Sequence, residues 1–396
     1  MILSERSTHV NGAINELDAL ADKLERSGKQ LIKMNIGDPS KYFPTPDYII
    51  NAYIDALKKH KTYYSSPNGL YELRKQVAKK YNDIISADDV FITQGISEAL
   101  MILNSAMINP RDNALIISPY FPPYIPFLKS NGGIPIIFEQ DENNGWSIDT
   151  DMLRRYIHNM RLKYMLFATP SNPTGTILSK KVIAELADIA NDNDLMIISD
   201  EIYDELTYKG KKFTSISSVA SGIPYIVLNG ASKTLDSTGF RIGYIIANGD
   251  NEDMRALKSK IYDYCSLRLS ANTPAQYAAY EGMRNAKEHK AAVDFMNSAI
   301  QARVKIMADA INRLDVMSVV MPSGAFYLLP KIDFSKLDIK DDYEFSRSLL
   351  LEKGVQTVAG SGFGAPGHIR IVVLHEPDVV AQAADKISKF CFEHVK

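Results

Sequence analysis

The sequence predicts an α/β fold: a large lobe with a mostly parallel seven-stranded sheet covered by helices, followed by a smaller α+β lobe. Three observations predict it. Between about 48 and 250, short β-rich runs alternate with helical stretches, the pattern of a parallel sheet covered on both faces. Residues 273–313 then carry one long helical periodicity. Beyond it, strand-like and helix-like runs are mixed. At 396 residues the chain also exceeds what a typical single core serves.

The elements follow in order. Residues 11–27 read as a short amphipathic helix and 31–36 as an extended piece. The string GDPSKYFPTP is rich in breakers and reads as a loop crossing between lobes. Strands are expected at 90–93, 114–118, 134–138, 164–168, 195–199, 225–229 and 242–247, with helices at 70–82, 97–108 and 179–192. The last lobe should hold strands near 317–321, 325–330 and 369–374 and helices near 341–353 and 377–394. Residues 1–47 are expected to form an N-terminal arm and part of the small domain. Residues 48–285 are expected to form the large domain, and 286–396 the small C-terminal domain.

Composition narrows the class. Hydrophobic residues make up 45% and charged residues 23%, ordinary values for a globular protein. The net charge of −2 gives no general attraction to nucleic acid or anionic membranes. Cys265 and Cys391 lie far apart without CxxC spacing, so neither a disulfide framework nor a zinc site is expected. The N-terminus carries the polar run Ser4, Glu5, Arg6 and Ser7 and does not read as a secretory leader, and no apolar run approaches a membrane span. A soluble, cytoplasmic protein is expected, with no metal.

The chemistry-bearing residues fall just after predicted strands, where ligands sit in such sheets. Gly95, Ile96 and Ser97 follow the first strand and open a helix, whose free N–H groups suit a phosphate. Alone, this is also an ordinary strand-to-helix turn. Phe121, in PYFPPY, can stack on a planar ring or serve as core. Asn172, in SNPTG, can bond a ligand oxygen or favour a turn. Asp200, with Tyr203 after it, follows an apolar strand and needs a partner; it can keep a pyridine nitrogen protonated or cap a turn. Lys233, in GASKT, follows another strand. Burial there would favour the neutral amine that a Schiff base requires, although most lysines are solvated. Ser232 and Arg241 are close enough in sequence to face one phosphate.

Taken in order, these strings resemble the fold-type I, class I/II aminotransferases along nearly the whole chain. SDEIYDEL and NGASKTLDSTGFRIGY are the most specific pieces. IGDPSKY, YYSSPNGLYELR, PYFPPY, LRLSANTPAQYAA and PSGAFYLLPKI resemble the alanine aminotransferase branch.

The resemblance implies pyridoxal 5′-phosphate as cofactor and an amino acid and a 2-oxo acid as substrates. It implies that Lys233 carries the cofactor as a Schiff base and moves the substrate Cα proton. It implies that Asp200 pairs with the pyridine nitrogen, and that Tyr203 and Asn172 bond the phenolic oxygen. Phe121 would stack on the ring, and Gly95, Ile96, Ser97, Ser232 and Arg241 would hold the phosphate. Tyr64 would reach the phosphate of a neighbouring subunit in a homodimer. Arg370, helped by the Gly37 backbone, would clamp the substrate α-carboxylate.

Many relatives carry Trp or Tyr where this chain has Phe121, and Trp where it has Phe240. Arg268 is a further candidate for a second carboxylate, or else a surface or interface arginine. Aspartate or aromatic amino acids, or a carbon–sulfur lyase reaction on the same cofactor, are the alternatives. The glycines of Gly360-Ser361-Gly362-Phe363-Gly364 lack GxGxxG spacing and do not lead into a helix, which argues against a nicotinamide enzyme.

Overall fold

The computed structural model describes residues 2–9, 15–81 and 84–396. Seven strands form one sheet: β1 (Val90–Thr93), β2 (Asn113–Ser118), β3 (Ile134–Glu139), β4 (Leu162–Ala168), β5 (Met196–Asp200), β6 (Tyr225–Gly230) and β7 (Gly243–Asn248). Their order across the sheet is β1-β7-β6-β5-β4-β2-β3. The pairs from β6 through β5, β4 and β2 to β3 are parallel, whereas β7 runs antiparallel to both β6 and β1.

Period-2 alternation explains why both faces are dry. Leu115, Ile117, Met165, Phe167, Ile197 and Val227 pack into one apolar cluster. Their chain neighbours Ile116, Tyr164, Leu166, Ile198, Ile226 and Leu228 pack into another. Covering helices include Tyr71–Lys80, Gly95–Met107 and Lys180–Asp192. The last begins where Ser179 accepts a hydrogen bond from the Val182 amide.

A third apolar cluster lies in the C-terminal lobe and takes in Met34, Phe43, Tyr203 and Leu206 from earlier in the chain. Ile32–Lys33 pairs in parallel with Val355–Gln356, so an N-terminal segment is stitched into that lobe. Among the described residues, no helix is long and apolar enough to cross a membrane.

The expected seven-stranded α/β sheet is present, with each strand within two residues of its expected ends. The single helical pattern over 273–313 is two helices, Thr273–Arg284 and Ala286–Ile311. The break falls at Asn285, whose backbone leaves helical geometry at φ −85° and ψ 67° while its side chain donates to the Glu281 carbonyl. The C-terminal strands are shorter than expected, at Met317–Ser318, Tyr327–Leu328 and Ile369–Val372. Lys331–Ile332, Val355–Gln356 and Val358–Ala359 are additional strands too short for a periodicity to register. Of the expected helix at 11–27, Asn15–Arg26 is helical and residues 11–14 lie outside the described residues. Residue 82 of the expected helix at 70–82 also lies outside them.

Candidate active site

One end of the sheet gathers the residues that the sequence singled out. Gly95 follows β1, Phe121 follows β2, Asn172 follows β4, Asp200 ends β5, and Lys233 follows β6. Because β7 is antiparallel, its start lies at that same end, with Gly243 opposite Thr93, so Arg241 arrives there too. A cavity of about 380 Å³ opens at this end. Gly37, Gly95, Ile96, Ser97, Phe121, Asn172, Asp200, Tyr203, Ser232, Lys233, Arg241 and Arg370 all line it.

Lys233 sits on the short helix Ala231–Thr234, and its Nζ donates to the Gly37 carbonyl at 2.6 Å. Burial pulls its ammonium down to about 8. The Arg370 and Arg241 cations act in the same direction, and the Asp38 and Asp200 carboxylates oppose it.

Asp200 is 3% exposed, and burial pushes its carboxyl up to about 6. Its Oδ2 accepts from the Tyr124 hydroxyl at 2.6 Å and its Oδ1 from the Ile202 amide at 3.1 Å. Two donors therefore hold the side chain in place at the wall of the cavity.

Arg241 and the helix Gly95–Met107 form the opposite end. The Gln94 side chain makes no capping bond, so the first amides of that helix are not capped by it. Gly95 has φ +75°, and a Cβ there would lie 2.5 Å from Arg241 Nη2. Glycine thus lets the guanidinium lie against the helix start. A cation beside a helix N-terminus is suited to an anion such as phosphate.

Arg370 comes from the C-terminal lobe. Its Nη1 donates to Asn172 Oδ1 at 3.0 Å and its Nη2 to the Asn35 carbonyl. Its guanidinium lies 4.5 Å from the Phe363 ring centroid and 4.9 Å from that of Tyr327. Its Nε is buried with no hydrogen-bond partner among the described residues. Burial lowers its proton affinity below the usual arginine range. The glycine-rich segment Gly360–Phe363 is a short 3-10 helix that places Phe363 against Arg370.

Two sequence candidates lie elsewhere. Tyr64 is 75% exposed and does not line this cavity. Arg268 is also outside it: Nε lies 3.0 Å from Glu98 Oε1, and Nη2 donates to the Pro67 and Ile92 carbonyls. Within this chain it is a largely buried structural arginine, held away from any second carboxylate in the cavity.

Sequence reasoning missed Asp38, Tyr124, Thr238 and Tyr327, which also line the cavity. Asp38 Oδ1 accepts from Thr238 Oγ1 at 2.7 Å, and the Tyr203 and Tyr327 hydroxyls lie 2.7 Å apart. All four lie inside strings that carry the family resemblance, Asp38 in IGDPSKY, Tyr124 in PYFPPY, Thr238 in NGASKTLDSTGFRIGY and Tyr327 in PSGAFYLLPKI, so their neighbours were the available signal.

The comparisons agree with this geometry. The sequence profile described as "Aminotransferase class I and II" matches residues 29–387. The glutamate-pyruvate aminotransferase AlaA of Haemophilus influenzae is 31% identical over 379 residues, covering 94% of this chain and 93% of that protein. The asparagine–oxo-acid transaminase of Streptococcus mutans is 32% identical over 382 residues, covering 94% of each chain. The structure of an alanine aminotransferase from Pyrococcus furiosus superposes with a TM-score of 0.94 at 34% identity, over 99% of this chain and 100% of that one. This chain belongs to the class I and II aminotransferases, pyridoxal-phosphate enzymes that pass an amino group between an amino acid and a 2-oxo acid.

Proposed function

We propose that this enzyme exchanges the amino group between alanine and 2-oxoglutarate, giving pyruvate and glutamate, by a ping-pong route. One observation carries the reading: Lys233, with its ammonium lowered to about 8, projects into a cavity that also holds Asp200, Arg241 and Arg370. The relatives named for glutamate–pyruvate and alanine transamination support the choice of substrates.

The residues present fit pyridoxal 5′-phosphate. The helix start at Gly95 with Arg241 suits its phosphate, and the buried Asp200 carboxylate suits a protonated pyridine nitrogen. When bound, the cofactor supplies a protonated ring that spreads the charge left when Cα loses its proton.

The chain's own residues do the rest. Gly95, Ile96, Ser97, Ser232 and Arg241 hold the phosphate. Asp200 keeps the ring nitrogen protonated, held in place by Tyr124 and the Ile202 amide. Phe121 stacks on the ring face. Asn172 accepts from Arg370 through Oδ1, which leaves its amide N–H groups to donate to the phenolic oxygen alongside Tyr203. Arg370 clamps the substrate α-carboxylate beside the Gly37 backbone; its unpaired buried Nε is a donor in want of an acceptor. Lys233 takes and returns the proton at substrate Cα, in the neutral form that its depressed pKa makes accessible.

The same reading assigns residues 48–285 to the large domain and 286–396, with part of 1–47, to the small one. It makes the enzyme a cytoplasmic homodimer in which the exposed Tyr64 reaches the partner's phosphate site. Tyr64→Phe should then weaken cofactor retention in a dimer seen by analytical ultracentrifugation, and a fully active monomer would refute this.

The test of the whole reading has two parts. After borohydride treatment and digestion, mass spectrometry should find the reduced pyridoxyl adduct on the peptide carrying Lys233. Half-reaction spectra with single amino acids should then rank alanine and glutamate above asparagine, aspartate and aromatic donors. Conversion of cystathionine without a 2-oxo acid would instead point to a carbon–sulfur lyase.

A further inference from the structure

The Tyr203 and Tyr327 hydroxyls lie 2.7 Å apart, and either can donate. Both residues are buried, at 4% and 2% exposed. Among the described residues, neither hydroxyl has another hydrogen-bond partner. Two phenols hold two protons and share one mutual bond, so one proton is left to point elsewhere. The direction of the pair decides which phenol keeps it.

Two features anchor one member of the pair. Tyr327 is fixed on the strand Tyr327–Leu328, opposite Val372, and its hydroxyl is packed so closely on Gly37 that a Cβ there would collide with it. Its ring faces the Arg370 guanidinium at 4.9 Å. Burial pushes both phenols up, and the Arg370 cation opposes that rise in each. Each phenol has one proton, so when Tyr203 gives its own to the phenolic oxygen of the cofactor, the 2.7 Å bond runs from Tyr327 to Tyr203.

We propose that Tyr327 is a positioning residue for Tyr203: its hydroxyl donates to Tyr203 and thereby directs the Tyr203 proton to the phenolic oxygen of the cofactor. This rests on the reading that Tyr203 bonds that oxygen. Donors in a chain polarise one another, so Tyr203 becomes the stronger donor. Tyr203 follows a strand of the large sheet and Tyr327 lies on a short C-terminal strand, so the bond carries the placement of that strand to the ring. Arg370, which lies over Tyr327, links the same point to the substrate clamp.

The test is an absorbance–pH titration of the bound cofactor in the purified holoenzyme. Tyr327→Phe keeps the ring and its packing under Arg370 but removes the donor. The phenolic oxygen then carries more charge and holds the neighbouring proton more tightly. The midpoint should rise by roughly 0.5–1 pH unit, the worth of one hydrogen bond. In a Tyr203→Phe background, Tyr327→Phe should cause no further rise, because the route through Tyr203 is already cut. Tyr327 replaced by 3-fluorotyrosine, a more acidic phenol of nearly the same shape, should move the midpoint down. This second variant decides the matter if Tyr327→Phe does not fold.

An unmoved midpoint in either variant, or an equal rise in both backgrounds, overturns the proposal. The reduced adduct on Lys233 separates the two levels. Without it the underlying reading falls and the proposal with it; with it, an unmoved midpoint removes the proposal alone.

Discussion

Arg370 Nη1 donates to Asn172 Oδ1 at 3.0 Å, across 198 positions of sequence. One residue follows a strand of the large sheet and the other lies on a strand of the C-terminal lobe, so the bond ties the two together at the cavity.

Arg370→Ala should therefore act on substrate, with little effect on the cofactor. Losing a buried, charge-assisted contact costs about 2–4 kcal/mol, so KM for the amino acid should rise on the order of a hundredfold. The absorbance of the bound cofactor should stay near its wild-type value, read from steady-state kinetics and spectra of one preparation. Cofactor loss in this variant would assign Arg370 a different role.

Lys233→Ala should remove both the borohydride-reducible adduct and nearly all turnover. Turnover retained at more than a small percentage would displace Lys233 from the chemistry.

The same lysine makes the cofactor-free protein sensitive to pH. Its folded pKa, about 8, lies below the ordinary lysine value of 10.5. Between these values the unfolded chain binds more protons, so folding stability rises with pH across that window. Below about pH 8 both states are protonated, and the charged amine destabilises the fold by on the order of 3 kcal/mol. Urea titrations of the stripped protein at pH 7.5 and 9.5 should show that rise, and Lys233→Met should flatten it.

Tyr124→Phe tests how Asp200 is held. The hydroxyl is one of two donors to the carboxylate, and its loss should lower kcat roughly tenfold, the worth of about 1–1.5 kcal/mol. Asp200→Asn removes the charge itself and should be far more damaging. Equal losses in the two variants would mean that Tyr124 does more than position Asp200.

Arg268 and Glu98 provide the contrast. Their side chains are only 13% and 19% exposed, and the guanidinium also meets two carbonyls. Arg268→Ala should destabilise the protein by about 2–4 kcal/mol, read by thermal melting, because it removes the cation from beside a mostly buried carboxylate whose remaining partner is the Gln94 amide. KM for 2-oxoglutarate should be unchanged. A large selective rise in that KM would return Arg268 to the substrate site.

Much of the fold was legible because it is written locally. Alternation of apolar residues at period 2 marks a buried strand, and the helices between strands require parallel pairing. The residues at the strand ends, from Gly95 to Arg241, were legible for the same reason. Once the strands share a sheet, their ends must meet, and the cavity contains all of those residues.

What the sequence left open depended on contacts between distant segments, which no periodicity encodes. Tyr124 meets Asp200 across 76 positions and Tyr203 meets Tyr327 across 124. Lys233 meets the Gly37 carbonyl across 196. The break at Asn285 turned on a side chain competing for a backbone carbonyl within a continuous helical pattern. Arg268 could be read toward substrate or as a surface or interface arginine, and the fold places it beside Glu98. Sequence by itself determined which residues stand at the carboxyl ends of the strands, since hydrophobic burial sets strand and helix. Only the tertiary structure decided which of those polar groups face one another, since a hydrogen bond needs both partners within about 3 Å and chain folding alone sets that separation.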